Sequence, residues 1–168
     1  MDAPASQRVW DPFVRVFHWS LVACVLLNSL VVDDGEDLHQ WLGYLASALV
    51  LARVLWGFVG SRHARFADFF PTPARLRRHL QALRRGEHPA YAGHNPLGAL
   101  SVLALLGVTA AQVSSGLFTD DEIAFAGPLT RFVSCEIVSQ FTTYHQEVGQ
   151  YLLLGLVALR GADDLSIP

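Results

Sequence analysis

The chain has 168 residues, of which 52% are hydrophobic and only 16% are charged, and its formal net charge is −3. Soluble domains are closer to a quarter charged, so this composition argues against a disordered chain and against a nucleic-acid-binding protein. Two cysteines, Cys24 and Cys135, are too few for a disulfide scaffold. The mean hydropathy of +0.32 instead indicates an integral membrane protein.

The apolar segments predict the helices in chain order, because a helix needs about 20 mostly apolar residues to cross the bilayer core. The first three predicted transmembrane helices are residues 13–32, 38–61 and 97–118. A fourth is predicted at 143–160, although its apolar run from Val148 to Leu159 is short for a crossing. Residues 161–168 are predicted as a polar C-terminal tail. The expected fold is all-α, a four-helix transmembrane bundle over residues 1–160 whose fourth helix is truncated or altered.

The charges of the loops predict the orientation in the membrane. Arginine-rich loops stay in the cytoplasm, and the loop between the second and third helices contains seven arginines: Arg62, Arg65, Arg75, Arg77, Arg78, Arg84 and Arg85. The loops after the first and third helices are acidic. We therefore expect a multi-pass protein of a bacterial inner membrane with a cytoplasmic N-terminus. Segment 75–85 is predicted either as an amphipathic helix on the anionic leaflet or as a solvated loop.

Three histidines lie in or beside the predicted helices, where ionisable side chains are costly. In this topology His39 and His145 lie at the same depth near the periplasmic face, on different helices. Such a pair is typical of two axial imidazoles that hold a haem between helices. A single histidine in a bundle can be a hydrogen-bonded packing residue, a proton relay or a metal ligand, and for each one taken alone we favour packing or hydrogen bonding. His18 lies deeper, at the level of position 160, which is about 21 Å along the fourth helix and is Arg160.

Three stretches of the sequence carry a resemblance to a known family. They are VWDPFVRVFHWSLV at the start, LHQWLGYLASALVLARVLWGFVGSRHARFADF at the second helix and GHNPLGALSVLALL at the third. With these motifs the chain resembles the bacterial cytochrome b-561 family, which includes the b-type cytochrome subunit of nickel–iron hydrogenases. The likeness extends to about Leu159. It implies a four-helix bundle that carries two b-type haems and moves single electrons in the cytoplasmic membrane.

The resemblance also implies iron ligands at His18 and His39 and at two positions of the fourth helix. The usual pattern there is histidine followed directly by glutamate, with a second histidine fourteen residues later. This chain reads His145-Gln146-Glu147, so either His145 is displaced by one residue or Gln146 occupies the ligand position. The later position is Arg160, which cannot bind iron. One haem is therefore better supported than two, and we attribute the incomplete inner site to a frameshift or truncation.

Four other residues were considered for the site. Arg15 and Arg53 lie near the cytoplasmic ends of their helices, where each either snorkels to the lipid headgroups or pairs with a haem propionate. We predict both as cofactor-binding residues. His63 and His94 are interpreted as surface or loop residues and not as ligands.

The predicted function is that of a membrane b-type cytochrome of a respiratory chain, an electron carrier or cytochrome subunit more than a stand-alone enzyme. Its expected partners are membrane lipids, quinone or quinol, and a hydrogenase or dehydrogenase subunit. A soluble cytochrome c is a further expected partner, because the acidic loop Asp120–Glu122 would attract a basic surface. A homodimer is compatible with the family, and nucleic acid is not expected. Two alternatives are a member that has lost its haem and a non-redox helix bundle whose histidines relay protons.

Overall fold

The computed structural model describes residues 11–33, 36–61, 64–87, 89, 91, 95–123 and 125–165, the last six of these without their side chains. The predictions for the side chain of Arg160 and for His63 and His94 therefore lie outside the described part. The described elements are helices and turns, apart from an isolated bridge between Asp120 and Ala126. The prediction of an all-α helical bundle is confirmed.

The helices, in chain order, are α1 (Pro12–Leu30), α2 (Asp37–Val59), α3 (Phe66–Phe69), α4 (Pro73–Arg84), α5 (Pro96–Gly116), α6 (Cys135–Thr143) and α7 (Gln150–Leu165). A 3₁₀ turn (Thr130–Phe132) precedes α6, and a π-helical turn (Tyr144–Gly149) joins α6 to α7. Among the described residues, α1, α2 and α5 are the three helices long and apolar enough to cross a membrane. Each begins and ends within two residues of the segment predicted from the sequence.

Three helices begin with the same local device, a polar cap followed by proline. Asp11, Thr72 and Asn95 accept hydrogen bonds from backbone N–H groups of the first turns of α1, α4 and α5. The proline that follows has no N–H to satisfy and its φ angle suits a first helical position. These starts are therefore fixed by local sequence. Segment 75–85, for which two interpretations were open, lies mostly in helix α4.

The fourth helix of the bundle is longer than the sequence indicated. The backbone is helical on both sides of the π turn, at Tyr144 and at Gln150, so α6, the π turn and α7 form one continuous helix. Their 9, 6 and 16 residues make it about 46 Å long at a rise of about 1.5 Å per residue. The backbone stays helical through 161–165, which were predicted as tail. Charged residues end an apolar segment, but they do not by themselves end a helix, whose hydrogen bonds are internal.

The bundle exposes most of its apolar side chains and buries few of them. Helix α1 packs on α2, α2 packs on α5, and α5 packs on the π turn and α7. Large side chains such as Leu51 and Phe58 on α2 are 61% and 68% exposed. A water-soluble protein seldom exposes such continuous apolar surface, whereas lipid-facing helices require it. Beyond the end of α5, the loop contacts helix α6 on one side, where the ring of Phe118 stacks on Phe141.

The end of the bundle at which α1 begins, here called the Asp11 end, is held together by one carboxylate. Asp11 accepts hydrogen bonds from the Phe13 backbone N–H at 2.8 Å and from the Trp56 Nε1 at 3.1 Å. A hydrogen bond from the Ser61 side chain is the largest influence that lowers the pKa of Asp11, and partial desolvation opposes it. Asp11 therefore caps α1 and ties it to the end of α2.

We predict that Asp11→Ala destabilises the bundle by roughly 1–2 kcal/mol, because it removes a helix cap and leaves the Trp56 N–H without its acceptor. The lowered pKa sets the pH range of this contribution. It is fully present above the ordinary carboxyl pKa of about 3.9 and is lost as the pH falls through the lower folded value. Thermal unfolding of the purified protein in detergent measures both effects. Glu87→Ala, at an exposed site, is the control, and equal midpoints for the two variants would contradict the prediction.

Candidate functional site

Two histidines from distant parts of the sequence meet at the opposite end of the bundle, here called the histidine end. His39 is the third residue of α2, and His145 lies in the π turn. Their ring centroids are 6.2 Å apart, and the ring planes cross at 80°. The structure thus brings together the two histidines that the sequence placed at one depth. Gln146, the alternative ligand, is exposed and also lies on the border of the cavity beside these rings.

A cavity of about 380 Å³ lies beside the paired rings. Its walls come from α1, α2, α5 and the fourth helix, and they include Cys24, Asn28, Gly43, Gln112, Leu153 and both histidines. Cys24, Ala46 and Leu153 are buried and give the cavity an apolar inner surface. A cavity of this kind between helices, with a few polar groups that converge on it, is the usual form of a cofactor site in a bundle.

The His145 ring is held in one tautomer by helix α5. Its Nδ1 lies 3.0 Å from the backbone oxygen of Gln112 and 3.2 Å from the Ser115 Oγ, which itself donates to the same backbone oxygen. Because a carbonyl oxygen can only accept, Nδ1 carries the hydrogen and Nε2 carries the lone pair. Histidines that bind metals commonly donate their other N–H to a carbonyl in this way. The arrangement therefore prepares Nε2 for coordination.

A glycine makes room for this ring. A Cβ atom at position 116 would lie 2.9 Å from the Cε1 atom of His145, closer than real side chains approach. Gly116 is the last residue of α5, so the ring passes over the end of that helix. On the opposite wall a Cβ at Gly43 would meet nothing within 4 Å, which leaves the space beside His39 open.

The other predicted site residues lie away from this pair. His18 and Arg15 are exposed in the first two turns of α1, and the ring of His18 contacts Trp19 at 5.5 Å. Arg53 is buried at the Asp11 end, where its Nη2 donates to the Ala64 backbone oxygen at 3.3 Å and its guanidinium lies over Phe66. It stands about 21 Å along α2 from His39 at about 1.5 Å per residue. The predicted set is therefore divided between the two ends of the bundle.

Gln112, Ser115 and Gly116 were missed by the sequence analysis. Gln112 is the only amide side chain in α5, whose sequence is mostly apolar. Polar side chains in transmembrane helices usually have a structural or functional partner, so this residue was a detectable signal. The roles of Ser115 and Gly116 depend on the position of a ring that is distant in sequence, and no local pattern marks them.

The spacing of the two rings fits a haem iron. An imidazole nitrogen lies about 2.0 Å from a bound transition metal, and the ring centre lies about 1 Å behind it. Two imidazoles on opposite sides of one iron therefore have centres about 6 Å apart, close to the observed 6.2 Å. Within the described residues no group of three or more histidine, cysteine or acidic side chains could hold a bare metal ion. A haem iron takes at most two ligands from the protein, because the macrocycle supplies the other four, so two histidines are sufficient.

Comparison with known proteins identifies the family of the chain. The family model for prokaryotic cytochrome b561 matches residues 9–159. The chain belongs to the prokaryotic cytochrome b561 family. No curated protein and no solved structure matches the chain. Membership confirms the resemblance found in the sequence, and together with the three apolar helices it identifies a bacterial membrane b-type cytochrome that takes part in electron transfer.

We predict that Gly116→Val weakens haem retention roughly tenfold, because its side chain would displace the His145 ring. Gly107→Val on the same helix is the matched control, since a Cβ there would meet nothing within 4 Å. The haem-to-protein ratio of the purified variants, read from the reduced-minus-oxidised spectrum, measures the effect. Equal ratios for the two variants would show that the ring does not need this space.

Proposed function

We propose that this b561-family protein binds one haem b between His39 and His145 and passes electrons between membrane quinone and a redox partner. The observation that carries the proposal is the pair of imidazole rings 6.2 Å apart beside an apolar cavity. In this proposal the protein acts as an electron carrier or cytochrome subunit more than as a stand-alone enzyme.

The protein residues have three tasks in this function. His39 and His145 would hold the haem iron through their ring nitrogens, and the Gln112 backbone oxygen keeps His145 in the tautomer that presents Nε2. The buried wall around Cys24 and Leu153 limits water near the site, which influences the reduction potential. Haem supplies a one-electron iron couple when it is bound. The step at the iron itself would need no general acid or base, because the transfer of one electron breaks no bond.

We propose one haem and not the two that the family resemblance implies. His18, the expected ligand of a second haem, is exposed on α1 and lies beside Trp19. The sequence position predicted to face it is an arginine, Arg160. These two features support a site that lacks a second imidazole.

We predict that His39→Ala and His145→Ala each abolish the sharp α-band of low-spin haem b, because each removes an axial ligand. His18→Ala is the control and leaves both the band and the haem-to-protein ratio unchanged. Difference spectra of membranes that contain equal amounts of each variant provide the measurement. An α-band in either of the first two variants contradicts the assigned ligand. A ratio of two haems in the wild type, or a loss of haem in His18→Ala, contradicts the single site.

The distribution of charge supports an inner-membrane protein whose Asp11 end is cytoplasmic. Helix α4 buries His79 against the bundle and leaves its arginines exposed: Arg75, Arg77, Arg78 and Arg84. Exposed acidic residues, among them Asp121 and Glu122, lie at the histidine end. Arginine-rich loops remain in the cytoplasm, so we place the histidine pair near the periplasm.

The two cysteines test this orientation. Cys135 is exposed at the start of α6, whereas Cys24 is buried in the bundle. We predict that a membrane-impermeant sulfonated maleimide labels Cys135 in intact cells and that Cys135→Ser abolishes the labelling, with Cys24 as the internal control. Mass spectrometry of the purified protein measures the modification. Labelling of Cys135 only after the inner membrane is permeabilised would reverse the proposed topology.

We place the docking site for a redox partner at the periplasmic end. Asp120 and Asp121 line the cavity that holds the paired histidines, and the neighbouring Ile123 is 94% exposed. An acidic rim around an apolar contact suits the basic surface of a soluble cytochrome c or a complementary hydrogenase or dehydrogenase subunit. Such a partner would dock close to the haem, and the quinone would exchange electrons from within the membrane.

A further inference from the structure

Gln112 on α5 is hydrogen-bonded to His145 in two different ways. Its backbone oxygen accepts from the His145 Nδ1, and its side-chain Nε2 donates to the His145 backbone oxygen at 2.9 Å. The first bond fixes the direction and tautomer of the ring. The second holds the backbone from which the ring projects. Gln112 thus constrains both the ring and the backbone of His145.

The second hydrogen bond lies in the π turn. A π turn is one residue wider than an α-helical turn and bonds each N–H to the carbonyl five residues back, so it interrupts the regular ladder of the helix. The Gln112 amide gives the His145 carbonyl a donor at this interruption. The amide also requires Gly149, because a Cβ atom there would overlap the Gln112 Oε1. Gln112 therefore packs into the open side of the π turn.

This arrangement has a cost that a packing role alone does not explain. The Gln112 Oε1 is buried and has no hydrogen-bond partner among the described residues. A buried amide oxygen without a donor is unfavourable by about 1–3 kcal/mol, and leucine would fill a similar volume without that cost. The amide is therefore better explained by the hydrogen bond that its nitrogen donates to the His145 backbone oxygen.

We propose that Gln112 is a positioning residue that keeps the π turn open and thereby directs the His145 ring toward His39. This inference rests on the proposed function, in which His145 is a haem ligand. Without the amide, the turn relaxes toward a regular α-helix. A shift of one residue in register rotates a side chain by about 100° around the helix, which would turn the His145 ring away from the pair. The hydrogen bond at Nδ1 would be lost with the rotation, and with it the strengthening of Nε2 as a ligand.

The test compares Gln112→Leu with Gly149→Ala in the full-length protein in detergent, with Gln140→Leu at an exposed site of α6 as the control. We expect the first two variants to retain haem roughly tenfold less well than the wild type. We also expect them to share a changed low-spin ferric EPR spectrum and a raised midpoint potential. If the ferric state is weakened tenfold more than the ferrous state, the potential rises by about 59 mV. The double variant should retain haem as well as either single variant does, because both substitutions remove the same contact between the Gln112 side chain and the π turn.

Deletion of Gln146 supplies a rescue. Gln146 is an exposed residue of the π turn, and its removal converts the wide turn to an α-helical turn without help from an amide. We expect the deletion to make haem retention, EPR spectrum and potential independent of Gln112, so that Gln112→Leu no longer has an effect. A destabilised fold would not be rescued by a further deletion. Rescue therefore distinguishes a positioning role from a general packing role.

The outcomes separate this inference from the proposed function. If Gln112→Leu has the wild-type haem ratio, EPR spectrum and potential while His145→Ala loses its haem, the positioning role is wrong and the ligand assignment stands. If His145→Ala keeps its haem, the proposed ligand itself is wrong. If the deletion fails to rescue Gln112→Leu, the amide acts through packing and the π-turn mechanism is overturned.

Discussion

The hydrogen bond from the His145 ring to the Gln112 backbone oxygen is the interaction on which the histidine end depends. An imidazole on a long helix can point in many directions, and a bis-histidine site tolerates few of them. Helix α5 supplies the constraint through a carbonyl that can only accept, a glycine under the ring and a serine at its edge. The 6.2 Å separation from His39 thus depends on a third helix that contributes no ligand.

The polar groups are arranged differently at the two ends of the bundle. At the Asp11 end, polar groups of the protein bind one another: a carboxylate caps α1 and accepts from Trp56, and the Arg53 Nη2 donates to a backbone oxygen. At the histidine end, the polar groups converge on a cavity instead. The predicted site residues Arg15, Arg53 and His18 belong to the first end or to the exposed face of α1. Their association with the cofactor remains a prediction.

Bilayer thickness and loop charge made much of this molecule predictable. The lengths of α1, α2 and α5 follow from their apolar runs, and the equal depth of His39 and His145 follows from alternating helix direction. The π turn could not be predicted, because its stabilising donor is 33 residues away in the sequence. The helical backbone of residues 161–165 was not expected, since side-chain polarity indicates where an apolar surface ends and not where backbone hydrogen bonding stops. Gln146, which separates His145 from Glu147 and does not fit the pattern expected from the family resemblance, lies in the wide turn.

His39 and His145 lie more than one hundred residues apart in the sequence, and α5 separates them along the chain. The fourth helix packs mainly on α5, so a haem bound between the two histidines would join it to α2. Such a join can form only after the ribosome has delivered the last helix to the membrane. Haem binding would then occur only after the whole bundle had been inserted. A nascent chain that stalled after α5 would contain His39 without His145 and could not bind the haem iron between them.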